Sequence, residues 1–242
     1  MADFLIGLLS LFNIKIDGML LAIVSRKVVE LQVFITSFDS LHAWPRFFLL
    51  SKLKFCELTL NIPGNIVELG VFKGSGVMAW LKANALLSKN QKHIYGFDIF
   101  DSDKLVSSID TSDSNLMSDL FKKRNFNPNG YSDVLIEIAK NAGFDNLSLV
   151  VGNVLETIPI FLEKNPGFRA SIINFDLDTY KPTIFCLEKL WDRLVKGGIL
   201  IFDEYAINEW TESDAVDEFL MKKNLKLIST PYFAPSAYLI KN

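Results

Sequence analysis

Asn65–Gly76, NIVELGVFKGSG, joins an apolar run, a glycine turn and the first residues of a helical stretch that continues to Ser88. A short, continuously apolar run that feeds a helix through glycine opens a βαβ unit, whose strand is buried on both faces. The rhythm repeats outward from there. Strands are expected at Asn65–Leu69, His93–Asp98, Ser148–Gly152, Ile172–Asp176 and Gly198–Asp203. Helices are expected at residues 44–60, Ser75–Ser88, Ser132–Ala142, Val154–Glu163, Pro182–Val195 and Ser213–Lys223. Leu225–Ser229 and Ala237–Lys241 break the pattern, because only a short loop with Pro231 and Pro235 separates them. That is hairpin spacing, so one of the two runs antiparallel at the sheet edge. The expected fold is α/β: a doubly wound, mostly parallel, seven-stranded Rossmann-like sheet with an antiparallel edge strand and N-terminal helices.

Composition narrows the function classes. Half of the 242 residues are hydrophobic and 22% are charged, which excludes a disordered chain. Lys plus Arg is 25 against 28 for Asp plus Glu, a formal charge of −3 that argues against nucleic acid as a partner. Cys56 and Cys186 form no disulfide framework and suit a reducing compartment. With only His42 and His93 besides, any metal must be held by oxygen. Phe4–Ile14 is uncharged, but Lys15 and Asp17 interrupt before Gly18–Ser25. Neither run reaches the ~20 apolar residues of a spanning helix. Residues 1–43 are therefore read as an N-terminal helical extension that packs on the core or against a second subunit, and 44–242 as one domain. The polar segment at about 101–131 reads as a lid-like insertion, with Lys122–Arg124 on a solvated face. No targeting segment is visible, so the expectation is a cytoplasmic homo-oligomer without an integral membrane span.

In an open parallel sheet, ligands bind beyond the carboxyl ends of the strands, and polar residues gather there in this chain. The first strand ends in Glu68 and Gly70, with Gly74, Ser75 and Gly76 where a helix begins and a ligand can approach the backbone. The second ends in Asp98, where a dinucleotide site would hold a ribose diol through paired hydrogen bonds. Together they suggest an adenosine-containing ligand. Asn153, after the third strand, either meets an adenine edge or caps the following helix. The fourth strand runs into INFDLDTYKPT, with Asp176 and Asp178 two apart, and the fifth ends in Asp203-Glu204-Tyr205. Four carboxylates at neighbouring strand ends repel one another, and only Lys181 stands near them in sequence. A hard divalent cation, Mg²⁺, would answer the imbalance. Asp178 or Thr179 could instead cap the next helix.

These residues together resemble the class I S-adenosylmethionine-dependent methyltransferases, and specifically the macrocin O-methyltransferase family, which methylates sugar hydroxyls on antibiotics and related glycosides. The likeness runs from about Trp44 to the C-terminus. It is carried by PGNIVELGVFKGSG, FDIFDS, FDLDTYKPT, and KGGILIFDEY followed by AVDEF. The resemblance implies Mg²⁺ ligation by Asp176, Asp203 and Glu204, with Asp178 as general base. It implies S-adenosylmethionine on Glu68, Gly70, Gly74, Ser75 and Asp98, and a glycoside or nucleotide-sugar acceptor. Leu177 stands where the family usually has Gly, Glu204 where it usually has Asp, and Lys181 where it often has Glu. A nucleotide-binding oxidoreductase of the doubly wound class would explain the glycine turn and Asp98 but not the four acids. A non-catalytic sugar-nucleotide or partner-binding module would keep the fold without needing them.

Overall fold

Ile66 and Val67 are neighbours in β1 (Asn65–Leu69) and point to opposite faces of the sheet, both fully buried. The alternation recurs with Ile172 and Ile173 in β4 (Ala170–Phe175) and along Ile199–Phe202 in β5 (Leu194–Phe202). Each face therefore needs its own cover. One apolar layer is completed by α1 (Trp44–Leu58), α2 (Ser75–Leu87) and α3 (Tyr131–Asn141), through Phe55, Trp80, Leu81 and Leu135. The other is completed by α4 (Val154–Lys164), α5 (Tyr180–Leu190) and α6 (Glu212–Lys223), through Ile158, Phe161, Leu187 and Phe219.

The remaining strands are β2 (Ile94–Asp98), β3 (Leu147–Val151), β6 (Ile228–Ser229) and β7 (Ala237–Ile240). Their order in the sheet is β3-β2-β1-β4-β5-β7-β6. β1 to β5 pair in parallel, and β7 runs antiparallel to both β5 and β6. The expected α/β sheet is thus present, with its reversed strand one place in from the edge and two-residue β6 outermost. The order changes direction between β1 and β4, and a crevice at such a switch point is where this fold binds ligands.

In this computed structural model the described residues are 44–87, 92–101, 129–207 and 211–242, with single positions 104, 114, 115 and 118. They belong to one compact unit, Ala43–Asn242. The expected N-terminal extension and nearly all of the expected lid lie outside the described residues. Among those described, no helix is long and apolar enough to cross a membrane.

One boundary differs from expectation. A helix was expected to reach Val195 and the fifth strand to begin at Gly198, but α5 stops at Leu190 and β5 already starts at Leu194. Lys196 and Gly197 fall between the two expected elements, yet here Lys196-Gly197-Gly198 is an irregularity inside a strand. Gly197 has φ 78°, its N–H donates to Lys241 C=O, and the β4–β5 register slips between Ala170 and Ile172.

Candidate active site

The strand ends are level. Gly70 N–H donates to Phe97 C=O, Asp176 N–H to Leu69 C=O and Asp203 N–H to Phe175 C=O, at 2.9–3.0 Å. These bonds carry the ladder one residue beyond the strands and set Gly70, Asp176 and Asp203 side by side at the switch point. Phe175 pairs with Phe202, so Asp176 and Asp203 are neighbours across β4 and β5. Gly70 is required here: at φ 89°, any Cβ would lie 1.8 Å from the Asp176 carbonyl oxygen.

Period-two geometry decides which acids turn inward. Glu68 shares a face with Ile66, Asn174 with Ile172, and Asp203 with Ile199 and Ile201, so all three point toward α1 and α2. Glu68 is 2% exposed and accepts a hydrogen bond from Trp80 Nε1. A Cβ on Gly76 would lie 1.7 Å from its Oε1, so the glycine at the start of α2 makes room for this carboxylate. Glu68 therefore faces the interior beneath the turn.

Its counter-charge is Lys52, which sequence reasoning did not single out. Lys52 is fully buried on α1; its Nζ donates to Asn174 Oδ1 at 3.0 Å, lies 4.0 Å from Glu68 Oε2 and stands 4.7 Å from the Trp80 ring centre. The sequence signal was available. Lys52, Phe55, Cys56 and Thr59 follow one another at helical spacing, so the lysine sits on the buried stripe of α1. Lys181, the one base near the acids in sequence, is exposed.

Asp98 is half-buried, and three backbone amides converge on it. Oδ2 accepts from Val71 N–H and Phe72 N–H, both at 2.8 Å, and Oδ1 accepts from Phe100 N–H at 2.9 Å. Asp98 thus shapes the turn after β1. A carboxylate offers about four acceptor positions, so roughly one is left for a ribose hydroxyl where a pair was expected. Asn153 has the helix-capping arrangement, its Oδ1 accepting from Leu155 N–H at 3.0 Å at the start of α4. Gly74 (φ 81°) packs its Cα against Leu135, and Ser75 begins α2 half-buried.

Asp178 occupies the middle of a tight turn closed by Thr179 N–H to Leu177 C=O at 2.7 Å, with φ 62°. Positive φ is costly for a non-glycine residue, and such strain tends to be retained where a side chain must be aimed. Leu177, in the position the family usually gives to Gly, packs on the α4–α6 side of the core. The N-cap residue of α5 is Thr179, whose own side chain makes no capping bond; the first amide of α5, at Tyr180, donates instead to Thr211 Oγ1.

The acids raise one another's proton affinity. Burial pushes the Asp176 carboxyl well above the usual carboxylate range, with Asp203, Asp178, Glu68 and Glu204 adding to the effect. Burial also lifts Asp203, to about 6, against the opposing pull of Lys52. Burial raises Glu68 too, while Lys52 and the Trp80 hydrogen bond oppose it. Asp203 Oδ1 is buried without a hydrogen-bond partner. Oxygen-only donors, buried at Asp203 and half-buried at Asp176, Asp178 and Glu204, and mutually repelling, match in chemistry what a hard divalent cation needs. Among the described residues no three such side chains already converge as a metal cage.

Residues 53–231 match the model of the TylF macrocin-O-methyltransferase family. A curated relative, the 8-demethyl-8-(2,3-dimethoxy-alpha-L-rhamnosyl)-tetracenomycin-C 4'-O-methyltransferase of Streptomyces olivaceus, is 28% identical over 176 residues. The match covers 70% of this chain and 64% of the relative, just under two thirds of the relative's length. Among solved structures, CalS11, described as a TDP-rhamnose 3'-O-methyltransferase of calicheamicin biosynthesis, is similar with a TM-score of 0.64 and 24% identity. That likeness covers 94% of this chain and 96% of CalS11. The O-methyltransferase NovP is similar with a TM-score of 0.63 at 20% identity, over 80% of this chain and 79% of NovP. The two structures speak for the fold.

Proposed function

The chain belongs to the macrocin O-methyltransferase family, and from that premise we propose that it moves a methyl group from S-adenosylmethionine to a hydroxyl of a sugar, presented as a glycoside or nucleotide sugar. The observation that carries the proposal is the level row of Gly70, Asp176 and Asp203 at the switch point, with Asp178 and Glu204 beside it. The relative from Streptomyces olivaceus and CalS11, whose names both specify rhamnose chemistry, support a deoxysugar acceptor.

When bound, S-adenosylmethionine supplies a methyl group on a positively charged sulfur. The turn from Gly70 to Ser75, shaped by Asp98, would hold it, with Asn153 at the adenine end. Glu68 would act from beneath, through Gly76 and the start of α2. Asp178 would take the proton of the attacking hydroxyl, and Asp176, Asp203 and Glu204 would hold Mg²⁺. A divalent cation beside a hydroxyl lowers its pKa, which brings proton removal within reach of a carboxylate. Methyl transfer needs in-line placement more than a covalent intermediate, so no nucleophile–base pair is required. The thiols Cys56 and Cys186 are buried and unpaired, in keeping with a reducing, cytoplasmic setting. Light scattering would test the expected homo-oligomer.

The oxidoreductase reading accounts for the turn but gives the acid cluster no task. Calorimetry decides between them. Binding of S-adenosylhomocysteine without binding of NAD is the expected result, and NAD binding alone would reverse the assignment.

A further inference from the structure

Glu212 is the first residue of α6 and a fifth carboxylate beside the cluster. A glutamate at a helix start ordinarily leaves its carboxylate in water, where the helix dipole favours it. Glu212 is instead fully buried, and neither of its oxygens has a hydrogen-bond partner. Burial holds its carboxyl well above the usual carboxylate range, and only the Leu177 amide, short of hydrogen-bond geometry, opposes the shift.

Three hydrogen bonds fix where this side chain starts. Tyr180 N–H donates to Thr211 Oγ1 at 2.8 Å, and Glu212 N–H donates to Asp178 C=O at 3.3 Å. On the other side, Ala206 N–H donates to Ser213 Oγ at 2.9 Å. The first turn of α6 is thereby pinned between two loops. One follows β4 and carries Asp176 and Asp178; the other follows β5 and carries Asp203 and Glu204. The charges that Glu212 feels are Asp178, Asp203 and Glu204, all of its own sign. Among the described residues, this buried carboxyl neither caps its helix nor forms an ion pair, and it has no positive partner.

We propose that Glu212 is a ligand of a divalent cation, joining Asp203 and Glu204 from the side of α6. The inference rests on reading the acid cluster as a cation site and extends that site from the strand ends to a helix. Cation binding would then couple α6 to both acid-bearing loops.

The test is Mn²⁺ titration of the full chain without S-adenosylmethionine, read as loss of the free Mn²⁺ paramagnetic resonance signal. Mn²⁺ accepts the same oxygen ligands as Mg²⁺. Wild type should bind, and Glu212→Gln should bind at least about tenfold more weakly, as should Asp203→Asn. In chelator, Glu212→Gln should melt no lower than wild type, because the amide is neutral and nearly the same shape as the buried carboxyl. Wild-type affinity in Glu212→Gln, alongside loss in Asp203→Asn, would overturn the Glu212 assignment and leave the cation site standing. No Mn²⁺ binding by wild type would overturn both. Should Glu212→Gln unfold, Glu212→Met decides. A folded Met variant that does not bind supports the assignment, as does weakened binding. A folded Met variant that binds like wild type overturns it. Unfolding of both variants would show that the fold itself uses the carboxylate, and would also overturn it.

Discussion

Replacing Lys52 with methionine keeps an unbranched apolar stem, one atom shorter, and removes a charge buried against Glu68 and Asp203. Nζ is 3.0 Å from Asn174 Oδ1 and 4.0 Å from Glu68 Oε2, on a side chain with no exposed surface. Removing one partner of a buried ion pair costs ~3–5 kcal/mol, because the other is left uncompensated. The 4.0 Å separation, longer than a direct hydrogen bond, puts the expectation at the lower end, about 3 kcal/mol. At roughly 2–4 °C per kcal/mol for a domain of this size, the melting temperature should fall by roughly 6–12 °C. The deficit should shrink with acid, because Glu68 and Asp203 are raised carboxyls that take up protons and then need no cation. Adding Glu68→Gln to the same chain should restore most of the loss. Calorimetry in chelator at about pH 8 and pH 4, on wild type, both single variants and the double, reads all of this. A Lys52→Met variant within ~1 kcal/mol of wild type at about pH 8 would refute the reasoning, as would a double variant no better than the single.

Three further outcomes are expected. The Asp203 carboxyl sits at about 6 in the folded protein, above its unfolded value, so stability is intact below about pH 4 and is lost as pH rises from about 4 to about 6. Asp203→Asn, in chelator, should therefore be more stable than wild type by up to ~3 kcal/mol at about pH 8 and equal at about pH 4 by urea denaturation; no gain at the higher pH counts against it. Asp98→Ala strands three backbone N–H donors, each bond to a charged group being worth ~1.5–3 kcal/mol, so the variant should melt lower and bind S-adenosylhomocysteine ~10- to 100-fold more weakly; unchanged affinity by calorimetry removes Asp98 from the cofactor site. Asp178→Asn should lower kcat by ~10²–10⁴-fold without rescue by added Mg²⁺, whereas Asp176→Asn should be partly rescued; a near-wild-type kcat in Asp178→Asn reduces that residue to a turn former.

The parallel core of the sheet was legible because its strands are short apolar runs separated by helices, and the glycine turn and hairpin marked its beginning and end. Glycines punctuate sequences, but they do not say whether the chain breaks or bulges, and the break expected before Gly198 proved to be a bulge within β5. The acids at the ends of β4 and β5 were visible because strand ends can be counted. Lys52 and Glu212 reach the cluster from helices: spacing alone puts Lys52 on the buried stripe of α1, but tertiary packing decides which acids the two residues meet. Both lie at positions whose usual chemistry is different: a lysine on a helix is ordinarily solvated, and an acid at a helix start ordinarily serves the dipole. Asp98 shows the converse. Its place at the end of β2 was read correctly, yet the three amides it receives depend on the turn that it helps to form.

Methyl transfer to a sugar hydroxyl can be followed by mass spectrometry with methyl-deuterated S-adenosylmethionine. The purified chain would be incubated with Mg²⁺ and a panel of rhamnosyl glycosides and nucleotide-activated deoxysugars, with Asp178→Asn in parallel. One labelled methyl group is expected on the sugar fragment of at least one acceptor, formed by wild type and nearly absent with the variant. Label that appears on an aglycone or on protein, or equal product from wild type and Asp178→Asn, would contradict it.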